Sequence, residues 1–201
     1  MSSVVSLRTF INSSDVPTVV FVDMQQEYLA APRLLAIPDI DPALANCRSA
    51  LDHSRKMGLP IAFVRLLDDS AFFNRATPFV RWMEGFEPNR NEMIFERSSP
   101  SCYSSELFAS LMNQNPGGIV LAGFAGESAC LSTLVDAYHR GHKVAYLADA
   151  SASHALDDLA ACEVHRAISK VCGLYGDVYE TSEWIASTLP RKLGTGKNAG
   201  G

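Results

Sequence analysis

The stretch "GGIVLAGFAGESACLSTLVDAYHRG" (residues 117–141) decides the fold. Its opening run, "GGIVLA", is short, apolar and β-branched enough for a buried strand. Small residues then break the run. From Glu127 onward the apolar positions recur at helical spacing, until Gly141 offers a helix stop. A strand that turns through small residues into a helix is half of a βαβ unit, and Cys130 falls where that helix begins.

The same alternation extends in both directions. "TVVFVDM" (18–24), "LPIAFVRLL" (59–67), "EMIFER" (92–97), "HKVAYLADAS" (142–151) and "GDVYET" (176–181) read as further strands. Helical spacing covers 41–58, 104–114, 127–141 and 156–171, and a closing helix starts near Ser182, a suitable cap. Strands alternating with helices imply parallel pairing through right-handed crossovers. The expected fold is a three-layer α/β/α arrangement with a mostly parallel, Rossmann-like six-stranded sheet. It forms one domain over residues 1–190, and the Gly-rich end, 191–201, is expected to be a disordered tail. Residues 68–91 break the rhythm with Phe72, Phe73, Phe79, Trp82 and Phe86. A connection of that length is expected to form a small helix or to line a pocket.

A net charge of -5 and a pI near 5.5 argue against nucleic acid or an anionic membrane as partner. No apolar run approaches the roughly 20 residues of a membrane span, and the N-terminus lacks the basic start of a signal peptide. A cytoplasmic location and a small-molecule substrate are the expectation. The 5 cysteines show no CxxC spacing, so neither a disulfide framework nor a zinc cage is indicated.

In open parallel sheets, ligands bind beyond the carboxyl ends of the strands. Asp23 ends the first strand, Arg97 the third, and the fourth leads to Cys130. An acid leaving an apolar run needs a partner, and Arg97 is a cation that could supply it. A thiol at a helix N-terminus gains from the macrodipole, which favours the thiolate. Each residue alone has an ordinary structural explanation as a cap, a surface charge or a buried thiol. Their convergence points to chemistry.

"VFVDMQQEYL" (20–29), "R-x3-S-C-Y" (97–103) and "GFAGESACLST" with "DAYHRGHKVAYLADAS" (123–133 and 136–151) resemble the isochorismatase-like cysteine hydrolases. That superfamily includes nicotinamidase, N-carbamoylsarcosine amidase, biuret hydrolase and isochorismatase. The resemblance implies a triad of Asp23, Arg97 in place of the usual Lys, and Cys130. It also implies a cis peptide, placed by position between Ala125 and Gly126, with the Gly126 and Cys130 amides as oxyanion hole. Glu127 stands where many relatives carry Thr. Glu127, Tyr28, Trp82, Phe86 and Tyr103 are the substrate-binding candidates. The histidines avoid residues 60–130, so the metal site of some relatives is not expected, and no cofactor is. The implied function is cleavage of a C–N bond in a small amide, carbamoyl or ureido compound through a thioester, by a homo-oligomer (dimer or tetramer). The alternatives are vinyl-ether hydrolysis without the thiol, and a binding protein with impaired catalysis.

Overall fold

The computed structural model describes residues 16–188. The tail expected over 191–201 lies outside them. Six strands, β1 (Thr18–Val22), β2 (Ile61–Leu66), β3 (Met93–Arg97), β4 (Ile119–Gly123), β5 (Val144–Ser151) and β6 (Asp177–Tyr179), form one sheet. Its order is β3-β2-β1-β4-β5-β6, and every pair is parallel. The chain leaves the sheet centre in one direction through β2 and β3, then returns to extend it through β4, β5 and β6. The switch point lies between β1 and β4, where a ligand crevice is expected.

Helices α1 (Asp41–Met57), α2 (Glu106–Asn113), α3 (Leu131–His139), α4 (Ala161–Cys172) and α5 (Thr181–Thr188) complete the three layers. Strand alternation assigns each β1 residue to a layer. Val19 and Phe21 pack with Cys47, Leu51 and Trp184 of α1 and α5. Val20 and Val22 pack with Phe108, Leu134 and Cys172 of α2, α3 and α4. All five β1 residues are therefore buried, as a strand covered on both faces requires. No helix among the described residues is long and apolar enough to cross a membrane.

Element boundaries differ from the sequence reading in two places that matter. The helix expected from Glu127 instead begins as a wide turn, Gly126–Cys130, which leads into α3. The helix expected from Leu156 begins at Ala161, because Leu156 and Leu159 close a small loop by exchanging backbone hydrogen bonds. Residues 68–91 contain one short helical turn, Pro78–Val80. The buried Gln25 pins this connection to the sheet: its amide nitrogen donates to Leu66 and Val80 carbonyls at 3.0 and 3.1 Å.

Candidate active site

Asp23 comes directly after β1 and adopts a positive φ of 48°, which turns its side chain off the strand path. Its amide donates to the Val64 carbonyl at 2.8 Å. The carboxylate accepts from the Leu66 amide at 2.9 Å and from Arg97 Nε at 3.3 Å, both at Oδ1. Arg97 Nη2 closes a second, short contact on Oδ2. Sheet register explains the pairing: Arg97 lies opposite Leu66 on β2, whose amide holds Asp23. Both side chains are almost fully enclosed. Glu96 points to the opposite side and binds Arg65 at 2.7 Å on the surface. Burial raises the Asp23 carboxyl above its ordinary value, while the Arg97 charge, the Leu66 amide and the nearby Tyr28 phenol oppose that rise.

Beside this pair opens a cavity of about 400 Å³ whose walls include Tyr28, Phe73, Arg97, Ala125, Glu127 and His154. Tyr28 packs edge-on to Phe73, with ring centroids 5.4 Å apart. Phe73 is held there by Glu27, a buried carboxylate that accepts from the Phe73 amide at 3.2 Å and from Arg33 Nε at 2.6 Å. Across the cavity, His154 Nδ1 meets Glu127 Oε1 at 2.7 Å, and Nε2 donates to the Leu35 carbonyl at 3.0 Å. Burial works to raise Glu127, but the hydrogen bond and charge of His154, together with bonds from its own amide and Ser153, leave the carboxyl below its ordinary value. The bond to Glu127 raises His154.

Cys130 occupies a different environment. Like Asp23, whose charge reaches it, Cys130 is fully buried and is not among the wall residues; its immediate neighbours differ. The sulfur lies 3.4 Å from the Gly123 carbonyl and 3.8 Å from the Ser151 hydroxyl, against β5. Burial pushes its thiol well above the ordinary value, and the Ser151 hydroxyl only partly offsets this. The helix N-terminus does not prevail against desolvation. Helix geometry accounts for the placement. Thr133 Oγ1 accepts from the Cys102 amide at 2.9 Å, so the Thr133 face of α3 meets the loop that carries Arg97. One turn earlier, that face passes through Ala129. Cys130 is rotated from it by roughly 100°.

The amides expected to form an oxyanion hole are also engaged. Gly126 N donates to the Ala152 carbonyl at 2.8 Å, and Cys130 N to the Ala125 carbonyl at 3.2 Å. The cis peptide joins Phe124 to Ala125, one residue before the expected position. Two glycines make the turn possible. Gly123 has a φ of 116°, and a Cβ there would lie 2.1 Å from the Val22 carbonyl oxygen; a Cβ on Gly126 would lie 2.9 Å from Ser153 Oγ.

Of the expected substrate-binding residues, the structure brings Tyr28 and Glu127 to the cavity and leaves three elsewhere. Trp82 packs edge-on to Phe63, Phe86 is buried under Arg48, and Tyr103 packs on Phe108 with its hydroxyl on His142. Their apolar area is spent on the core and on stacking rather than on a pocket wall. Sequence reasoning missed His154, which lines the cavity; Phe73 and Asp68 also line it and belong to the connection expected to form a small helix or line a pocket, though neither was singled out as a site residue. His154 had a usable signal, because it lies past the carboxyl end of β5, where this fold presents its ligand loops. Among the described residues no three His, Cys, Asp or Glu side chains are grouped so as to hold a metal ion.

No curated protein matches the chain. Among solved structures it is similar to an isochorismatase from Pseudomonas putida, with 26% identity and a TM-score of 0.78 over 85% of this chain and 91% of that one. A cysteine hydrolase from Pseudomonas syringae shares 22% identity and a TM-score of 0.78, covering 88% of this chain and 93% of that one. N-carbamoylsarcosine amidase from Thermoplasma acidophilum shares 20% identity and a TM-score of 0.65, covering 83% and 96%. The last two likenesses concern the fold alone. The isochorismatase domain model matches residues 17–170, which is most of the chain, and this protein therefore belongs to the isochorismatase family of hydrolases.

Proposed function

We propose that the chain hydrolyses a small vinyl ether by proton transfer from Asp23 to the vinyl carbon, without a thioester on Cys130. Amide cleavage of the cysteine type needs a thiolate at the substrate carbonyl and two free amides for the oxyanion. In this chain Cys130 is not among the wall residues, and the two amides expected to bind the oxyanion, those of Gly126 and Cys130, are engaged. Vinyl-ether hydrolysis needs only a proton donor and water. The carboxyl protonates the terminal vinyl carbon, and the double-bond electrons form the new C–H bond. Water adds to the resulting oxocarbenium carbon and returns a proton to Asp23. The hemiketal then breaks its C–O bond to release an alcohol and a carbonyl compound. Tyr28 lines the cavity beside the carboxyl, and Arg97 holds and balances it.

The observation that carries this reading is that Leu66, Arg97 and Tyr28, the groups around the buried Asp23 carboxyl, all line the cavity, whereas Gly123 and Ser151, the neighbours of the Cys130 sulfur, do not. The test is a panel of small vinyl ethers, amides and ureas, monitored for carbonyl or ammonia release. Vinyl-ether turnover lost in Asp23→Asn and kept in Cys130→Ala supports the proposal. Ammonia release lost in Cys130→Ala would restore the thioester mechanism. A second reading, ligand binding without turnover, draws on the fact that both Asp23 oxygens are already occupied. Saturable binding by the wild type with no release from any panel member would favour it.

A further inference from the structure

The cavity contains cations but none that is free. Arg97 commits three of its five N–H groups, Nε and Nη2 to Asp23 and Nη1 to the Ser99 carbonyl, and the ionised Asp23 offsets its charge. Both nitrogens of His154 face acceptors, the Glu127 carboxylate and the Leu35 carbonyl. An acceptor on each side requires a proton on each nitrogen, so the ring is an imidazolium with both N–H groups used and its charge offset by Glu127. Arg33 and Arg75, the cations on the flanking loops, are paired with Glu27 and Glu96. The remaining charged wall residue is Asp68, exposed at the rim. Among the described residues no Lys, Arg or His lies in salt-bridge contact with it.

Around these charges the wall is apolar, with Leu35, Leu66, Phe73 and Pro100, and is completed by the hydroxyl-bearing Ser98, Ser99 and Ser128. While Asp23 is ionised and offsets Arg97, a carboxylate entering here would lose its water and meet no unpaired cation, a cost without compensation. A neutral head group can bond the serine hydroxyls. A cationic one gains Asp68 in addition.

We infer that this site takes a neutral or cationic small molecule with an apolar or aromatic body, and rejects carboxylates. The inference rests on the cavity assigned above as the reaction site, but concerns binding alone. It would place the substrate outside the dicarboxylates, whatever bond is broken.

The test uses three ligands of one shape: benzoate, benzamide and benzamidine, titrated by calorimetry at low ionic strength. The expected order is benzamidine first, about threefold tighter than benzamide because an exposed ion pair contributes little. Benzoate comes last, at least about tenfold weaker than benzamide. Asp68→Asn should erase the benzamidine advantage, and raising the salt should shrink it. Benzoate binding as tightly as benzamide would overturn the inference. So would failure of all three to bind, or an unchanged benzamidine advantage in Asp68→Asn. The order of affinities does not depend on turnover. None of the three ligands carries a vinyl ether, so the order measured in wild type separates failure of the charge reading from failure of the proposed chemistry.

Discussion

Asp23 and Cys130 both lie just beyond the carboxyl end of a central strand, β1 and β4, at the switch point of the sheet. One is buried behind three residues of the cavity wall, Leu66, Arg97 and Tyr28, which hold its carboxyl. The other is packed against β5 beside Ser151. The difference lies in how the chain leaves each strand. After β1, a single residue of positive φ redirects the chain, and the pairing partner comes from β3, two strands away, in fixed register with Leu66 of β2. After β4, a five-residue turn leads into a helix, where each residue faces a different direction from its neighbour. A strand end locates a site to within a rim. Only the local backbone decides which side chain reaches it.

The sharpest way to break this comparison is to remove Arg97. Arg97→Ala leaves a carboxylate buried without its cation and should cost about 3–5 kcal/mol of stability at neutral pH. The pH dependence has a definite sign. The Asp23 carboxyl is already raised in the folded chain, so the native state keeps its proton to a higher pH than the unfolded state. Stability is then lost as pH rises between the two values. Without Arg97 the folded value climbs further, so the deficit against wild type should grow from acid to neutral pH in urea titrations. A constant deficit would mean that Asp23 does not depend on Arg97. Arg97→Lys should recover part of the loss, since it keeps the charge without the fork.

Much of the Asp23 half was legible in the sequence. Strand alternation alone separates Arg97 from Glu96, and an acid emerging from "VVFV" demands a partner. The Cys130 half was not. "GESAC" reads equally well as the first turn of a helix with the thiol facing either wall, and a change of one residue rotates the face by roughly 100°. The aromatic connection was legible only as a whole. Its composition says that rings are buried, but the Glu27 and Gln25 contacts that send Phe73 to the cavity and Trp82 to the core are made by residues over 40 positions away. The position of His154 past β5 was legible, but its pairing was hidden for the same reason, because its partner Glu127 lies 27 residues earlier.

A smaller effect is expected at the far wall of the cavity. Glu127→Gln should cost about 1 kcal/mol by removing a charge-assisted hydrogen bond to His154. Glu127 is lowered and His154 raised, so the pair stabilises most between their two folded values. The contribution is lost as pH rises through the His154 value, and again as pH falls through that of Glu127. Thermal melts of both proteins across pH should therefore converge at the alkaline and acid ends. Parallel curves would show that the two groups do not form a charged pair.

The smallest effect is reserved for the cysteine at the start of the helix. Cys130→Ala removes one buried sulfur and should cost about 1 kcal/mol in chemical denaturation. Any turnover found should stay within about twofold of wild type, because no step depends on the thiol. A large loss of activity with little loss of stability would reverse the comparison and return Cys130 to the reaction.

Thiol reactivity tests the central claim most directly, and needs no substrate. Native protein is treated with iodoacetamide near neutral pH, and each cysteine peptide is tracked by mass spectrometry over time. Cys162 is exposed, whereas Cys130 is buried with its thiol held well above the ordinary value. Alkylation should therefore begin at Cys162 and leave Cys130 unmodified until the protein is unfolded. Preferential labelling of Cys130 in the native protein would contradict the account, since only an activated thiol open to the cavity could react first.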